Sequence, residues 1–564
     1  MQFFEWFADF ATTYIVEAGI QVGDEQIPFM VIVLLGVGFY LTLRLGFIQV
    51  TRLGHGIAVA TGRYDDPDDE GDVTHFQALS TALSATVGIG NIAGVAVAIH
   101  WGGPGALFWM WMTAALGMAT KFAEVTLAQE YRVSETEEDR FGSVSGGPMY
   151  YIEKGLGPRW KWMAVFFAFI LGITAFLTGN AIQANTVADN METVFGISPI
   201  ITGLVTAAIV GAVILGGIKR IGRVTGILAP AMAVVYVLGA LIVIALNAGD
   251  VFPTLGLIVR EAFNPTAGVA GTGVGAVLVT LMWGVRRGLF SNEAGQGSAP
   301  IAHAAAKTDE PVSEGVVALL EPFIDTLVIC TMTGLVLIMT GVWNDTFPTE
   351  ITLDGGDIGY RTTVEGGYAA TDATGPISFA AGRHADTSAG AALLSWHEAP
   401  LDEVFVDEAM TQPFSGTLDP VAGTASGNDG QTYASLYGMA VENGAPLTLE
   451  GFRRGIPGGW GHYIVIISVL LFALSTAISW SYYGDRCANY LWGPRAILPY
   501  KIVFVVMHFV GAVLPLTVIW NLGDVFLGIV IWPNLIALAL LSGKVRELTR
   551  SYFERKPWIK TQGR

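Results

Sequence analysis

The sequence predicts an all-α polytopic membrane protein, and three observations lead there. Hydrophobic residues make up 52% of the 564-residue chain and charged residues only 14%, far from the balance of soluble domains. Eleven apolar runs are each long enough, at roughly 20 residues, to cross about 30 Å of hydrocarbon. The cations are also asymmetric. With the N-terminus outside, Lys and Arg gather on the inner side and only Arg260, Arg361, Arg383, Arg453 and Arg454 stay outside, the distribution that insertion favours.

In chain order, residues 3–18 read as a short amphipathic helix at an interface. No Lys or Arg precedes Arg44, so the basic region of a secretory signal is missing. The spans follow at 28–47, 75–100, 105–128, 161–187, 197–217, 224–247, 268–290, 315–343, 461–484, 497–519 and 523–543. The first is set aside as an accessory helix within an N-terminal segment, 1–74, that also holds a cytoplasmic loop. Ten spans remain and divide five and five, as 75–247 and as 268–343 with 461–543, so the two halves enter from opposite sides. Residues 544–564 form a basic cytoplasmic tail. Between the eighth and ninth spans lies an outer insertion, 344–460; its residues 344–459 carry 16 acidic and 4 basic side chains. A connection that long has structure or function of its own. Adaptation to high salt competes there with a lid or docking role.

The most informative segment is Thr86-Val87-Gly88-Ile89-Gly90-Asn91, because it sets two glycines and an amide inside an apolar span. Broken backbone at bilayer depth is tolerated only where it lines a protein cavity or a water-filled path. The first member of the second half is also rich in glycine, at Gly271, Gly273, Gly275, Gly284 and Gly288. Matched broken helices in inverted halves point to the midplane site of a secondary transporter. Close packing of helices by small residues is the competing account.

Motifs of the same stretches resemble the alanine or glycine:cation symporter family. They are Phe76 to Leu79, Gly88 to Gly94, Gly102 to Gly105, Lys121 to Glu124, Arg287 to Gly295, Ser298 to Pro300, Ile324 to Thr326 and Trp480 to Gly484. The resemblance runs from about 28 to 343 and from 461 to 545, leaving the insertion uncovered. It implies an eleven-helix transporter with a LeuT-type 5+5 inverted-repeat core, moving alanine or glycine with Na⁺.

The residue chemistry agrees with that implication. Unpaired N–H groups near Gly90 and Asn91 suit a carboxylate, and freed carbonyls near Ala85 and Gly88 suit an ammonium or Na⁺. Asn180 and Gln183 share a helical face; the resemblance places Gln183 against the substrate, with an interhelical hydrogen bond as the alternative. Trp283, Trp480 and Phe176 would wall a pocket with room for little more than a methyl group, although core packing also accounts for aromatics. Thr476, one turn before Trp480, reads as a substrate contact. Ser475, Thr476 and carbonyls near Ala85 and Gly88 make the candidate sodium site, against hydroxyls that merely bond their own helix. Lys121, Glu124, Arg286, Arg287, Glu293 and Asp325 read as gating or packing charges. Cys330 and Cys487 read as packing residues.

The sequence therefore predicts a non-enzyme of the plasma membrane, with its N-terminus outside and its C-terminus cytoplasmic, that carries a small neutral amino acid with Na⁺ by alternating access. It holds no metalloprotease, hydrolase-elbow or Walker A motif, and no organic cofactor or nucleic acid is implied. A passive channel, a sensor, and H⁺-coupled transport of another small amino acid are the competing functions.

Overall fold

A computed structural model describes residues 11–12, 14, 17–22, 25–66, 68–134, 144–265, 274–353, 358–364, 367–371, 375–388, 390–397, 399–514 and 516–561. Most of the predicted helix at 3–18 lies outside them, as do Gly271 and Gly273. Helices dominate. They are α1 (Phe29–Arg44), α2 (His75–Thr86), α3 (Ala93–Gly102), α4 (Ala106–Glu130), α5 (Lys161–Phe176), α6 (Ile182–Phe195), α7 (Pro199–Ile214) and α8 (Gly217–Leu246). They continue as α9 (Val274–Asn292), α10 (Ala299–His303), α11 (Pro311–Ala318), α12 (Thr331–Met339), α13 (Gly444–Gly455), α14 (His462–Trp492), α15 (Ile497–Val513) and α16 (Leu516–Arg555).

Six of the described helical stretches are long and apolar enough to cross a membrane, and α2 with α3 make a seventh that is bent by 63°. Their outer faces are apolar. Trp162, Phe166 and Phe169 on α5, Ile201 and Leu204 on α7, and Val234, Leu238 and Leu241 on α8 are all exposed, the surface expected of helices immersed in lipid rather than water. At 1.5 Å per residue the 40-residue α16 spans about 60 Å, roughly twice the hydrocarbon thickness. Its basic last turns therefore project beyond the slab.

Two expectations are corrected. The chain is not all-α: within the insertion at 344–460, strands Phe347–Thr352 and Ser435–Ala440 pair antiparallel, as do Ile358–Val364 and Ala392–Trp396, around a core that includes Ile351, Leu394, Leu418 and Leu436, and α13 follows them. Burial alternates along Ser435–Ala440, which is the period of a half-buried strand. Within α9, Gly284 and Gly288 do not interrupt anything. A Cβ on Gly284 would fall 2.4 Å from the Ala106 carbonyl oxygen, and one on Gly288 would fall 3.2 Å from the Met110 Cα. These glycines let α9 lie against α4, the packing role of small residues in membranes.

Candidate substrate and ion site at two helix breaks

The first break separates α2 from α3. Thr74 caps α2 by accepting from the Gln77 N–H while the Gln77 side chain accepts from the Thr74 N–H, a capping box. The helix ends at Thr86, Gly88 is extended, and Ile89–Asn91 form one 3₁₀ turn before α3. Buried backbone groups freed by such a break need partners, and side chains meet several of them. The Gly88 N–H donates to Asn91 Oδ1 at 2.8 Å. Ser475 and Thr476 hydroxyls donate to the Ser84 carbonyl at 3.3 and 3.1 Å, and Thr476 also reaches the Ala85 carbonyl at 3.4 Å. Thr333 donates to the Asn91 carbonyl and Thr448, from α13, to the Ile92 carbonyl.

The second break lies after α9, at Glu293–Gly297, and not within 268–290. Glu293, Gly295 and Gly297 have φ of 54, 93 and 78°, a region glycine enters freely and Glu seldom does. A buried carboxylate holds this loop. Glu124 Oε1 accepts from the N–H groups of Gly295 and Gly297 at 3.1 and 3.2 Å, and from Asn534 Nδ2 at 2.5 Å. Asp325 ties the first break to the end of α9: it accepts from Asn91 Nδ2 at 2.5 Å and from the Ser291 and Thr326 hydroxyls at 2.6 and 2.7 Å. Glu124 and Asp325, read from sequence as gating or packing charges, are therefore braces of broken backbone.

Between the breaks is a small cavity of about 20 Å³. Five of the expected substrate residues line it, namely Gly88, Gly90, Gln183, Thr476 and Trp480, together with Ala85 from the sodium set. Three do not. Asn91 is fully buried behind the turn with its amide spent on Gly88 and Asp325. Phe176 meets Tyr500 in a tilted contact at 4.5 Å, and Trp283 stacks on Trp101 at 5.4 Å beside a different cavity shared with Arg286 and Arg287. Ser475 also sits outside, bonded to the Phe472 carbonyl of its own helix at 2.9 Å. Asn180 makes the interhelical bonds of the alternative account, donating to the Phe504 carbonyl at 2.8 Å and meeting His508 at 2.7 Å.

The cavity wall is polar where it matters. Gln183 Oε1, Thr178 Oγ1 and Gln296 Oε1 are buried without a hydrogen-bond partner among the described residues, an arrangement that costs free energy unless something else occupies those acceptors. Gly88 approaches so closely that a Cβ there would lie 2.8 Å from Thr476 Oγ1. Trp480 rests on Gly179, where a Cβ would lie 2.4 Å from the indole Cγ, and its Nε1 donates to Glu293 Oε1 at 3.1 Å. Glu293, Gln296 and Thr178 were not read as lining residues from sequence. The signal was present in Ser291–Ser298, a polar, twice glycine-marked run directly following an apolar span. Cys330 and Cys487 are free and buried, as read from sequence.

A model of the sodium:alanine symporter family matches residues 13–358 and 408–562. The chain belongs to that family. The sodium/alanine symporter AgcS of Methanococcus maripaludis is 42% identical over 530 residues, covering 93% of this chain and 94% of its own length. A transporter of Haemophilus influenzae is 37% identical, with 93% of each chain covered. The amino-acid carrier protein AlsT of Bacillus subtilis is 30% identical, covering 93% of this chain and 89% of its own. The family is one of transporters, and the stretch between its two matched parts lies inside the β-rich insertion.

Proposed function

We propose that this member of the sodium:alanine symporter family couples the inward movement of a small neutral amino acid, alanine or glycine, to Na⁺ by alternating access. Cation-coupled amino-acid symport follows from the family. The narrower reading rests on one observation, that both breaks and Trp480 converge on a single small cavity with partnerless carbonyl and hydroxyl oxygens.

A zwitterion needs opposite partial charges a few Å apart, and the first break supplies both. The turn that begins at Ile89 presents N–H groups without intrahelical partners to a carboxylate. Gln183 Oε1 and Thr178 Oγ1 are acceptors for the ammonium. The Ser84 and Ala85 carbonyls with Thr476 Oγ1 form an oxygen cluster of the kind a hard cation takes. Trp480 and Phe290 limit the side chain to a hydrogen or methyl. Inward Na⁺ flow is worth about 2.3 kcal/mol per charge per 100 mV, plus the concentration term.

The same reading assigns an eleven-span topology with a 5+5 inverted-repeat core, the N-terminus outside and the basic tail in the cytoplasm. Each of the eleven apolar runs carries helix in the described residues, which supports that assignment. Uptake of labelled alanine into proteoliposomes tests the coupling: accumulation above equilibrium with an inward Na⁺ gradient, abolished when choline replaces Na⁺, is expected. Simple equilibration independent of Na⁺ would overturn it.

A further inference from the structure

A chain of buried titratable groups lies apart from the cavity and takes no part in the binding just described. His75, the first residue of α2, meets Glu314 Oε2 through Nδ1. Glu314 Oε1 meets His303 Nδ1 at 2.5 Å, His303 Nε2 meets Glu321 Oε1 at 2.7 Å, and Glu321 Oε2 pairs with Lys121 Nζ at 3.2 Å. Glu314, His303, Glu321 and Lys121 are fully buried. Only the His75 end approaches water, with Nε2 3.9 Å from the half-exposed Asp65. Ionisable side chains inside membrane segments are costly, and linear acid and imidazole chains are a recurrent form of proton relay.

The hydrogen bonds themselves require a proton. A neutral imidazole donates from one nitrogen only, yet both nitrogens of His303 face carboxylate oxygens. Either His303 is an imidazolium or one of its partners is a carboxylic acid. Charge balance agrees: Glu314 and Glu321 contribute two negative charges and Lys121 one positive, so one further proton neutralises the set, and an uncompensated buried charge is expensive. The neighbouring charges are Asp65 and Asp69 near His75, Arg132 near Glu314, and Glu124 and Glu293 near Lys121.

The position of this proton gives it a mechanical role. His75 begins the half-helix that leads into the first break, and His303 ends the half-helix that follows the second. Glu314 bonds both. We propose that His75, Glu314, His303 and Glu321 form a proton site and relay, loaded through His75 from the face that carries residues 61–74, which makes H⁺ a second ion of the transport cycle. A proton arriving at His75 Nε2 releases the Nδ1 proton to Glu314, which passes one to His303 Nδ1, and His303 Nε2 passes one to Glu321. One proton enters and one is held, with none created or lost. Loading Glu321 weakens its pairing with Lys121, and emptying the chain leaves His303 one N–H for two carboxylates, so that it loses its bond to Glu314 or to Glu321.

This inference rests on the symport reading, and its test separates the two. Purified protein is reconstituted with pyranine in the lumen, and alanine uptake and lumenal pH are followed under a fixed Na⁺ gradient while pH is varied on each side in turn. Wild type is expected to show an alanine-driven pH change and an uptake rate that shifts at least 5-fold between pH 6 and 8 on one side only. Glu314→Gln, and independently His75→Gln at the wet end, should each retain Na⁺-driven uptake but lose the pH change and flatten the profile below 2-fold. Na⁺-driven uptake with no lumenal pH change in wild type, or an unaltered profile in both variants, overturns the relay and leaves symport standing. Absence of uptake under every cation gradient overturns both.

Discussion

The two breaks solve one problem with different chemistry. At the first, freed carbonyls are met by neutral hydroxyls of Ser475, Thr476, Thr333 and Thr448, and the Gly88 N–H by the amide of Asn91. At the second, the backbone turns through positive φ and its N–H groups converge on the buried carboxylate of Glu124. A neutral shell can exchange partners with a cargo at little electrostatic cost, whereas a desolvated charge cannot be left without its donors. The first break is therefore the adaptable one and the second is the fixed one.

Several experiments break or sharpen this contrast, the largest effect first. Glu124→Leu strands the N–H groups of Gly295 and Gly297 and the Asn534 amide, at about 1–3 kcal/mol for each unsatisfied group. Loss of the monodisperse peak in size-exclusion chromatography is expected; a normally folded variant would show that the second break does not depend on its carboxylate. Asn91→Ala removes the partner of the Gly88 N–H and one of the three donors to Asp325, whose Ser291 and Thr326 bonds remain, so the folded protein should survive with a melting temperature several degrees lower and uptake down at least 10-fold. Gly88→Ala places a methyl group against Thr476 Oγ1; adding Thr476→Ala should restore the melting temperature lost by the single change but not uptake, read by a double-mutant cycle. Least of all, Arg454→Ala removes an exposed pair with Asp345, 2.8 Å long, worth about 0–1 kcal/mol. The Arg454 hydrogen bond holds the Asp345 carboxyl below its ordinary value, so this small contribution is present at neutral pH and fades only as pH falls through that lowered value. Unfolding midpoints of wild type and variant should differ by the same small amount from pH 6 to 8.

The sequence made the first break legible because glycine and asparagine in the middle of an apolar span have few other uses. The second was misplaced because glycine does two jobs in membranes. Gly284 and Gly288 serve close packing against α4, while Gly295 and Gly297 serve the turn, and only a polar run after the span distinguishes the latter. Glu293 read as an inner-face charge because a sequence does not show that a helix ends at Asn292 and turns its neighbour toward Trp480. Trp283 and Phe176 occupy spans of the right kind but point their rings at Trp101 and Tyr500, a choice made by packing. The β-rich insertion left a faint trace in the alternation along Ser435–Ala440, hidden by its acidic, polar composition. Helix positions, by contrast, were legible almost throughout, since lipid demands long apolar runs and little else produces them.

Equilibrium binding of labelled alanine to the purified protein, with and without Na⁺, tests most directly whether the cavity between the breaks is where cargo and ion meet. Na⁺ should tighten binding at least 10-fold in wild type, Gln183→Ala should weaken Na⁺-supported binding at least 10-fold, and Trp283→Phe should change it less than 3-fold. Binding indifferent to Na⁺, or lost in Trp283→Phe and kept in Gln183→Ala, would contradict the account.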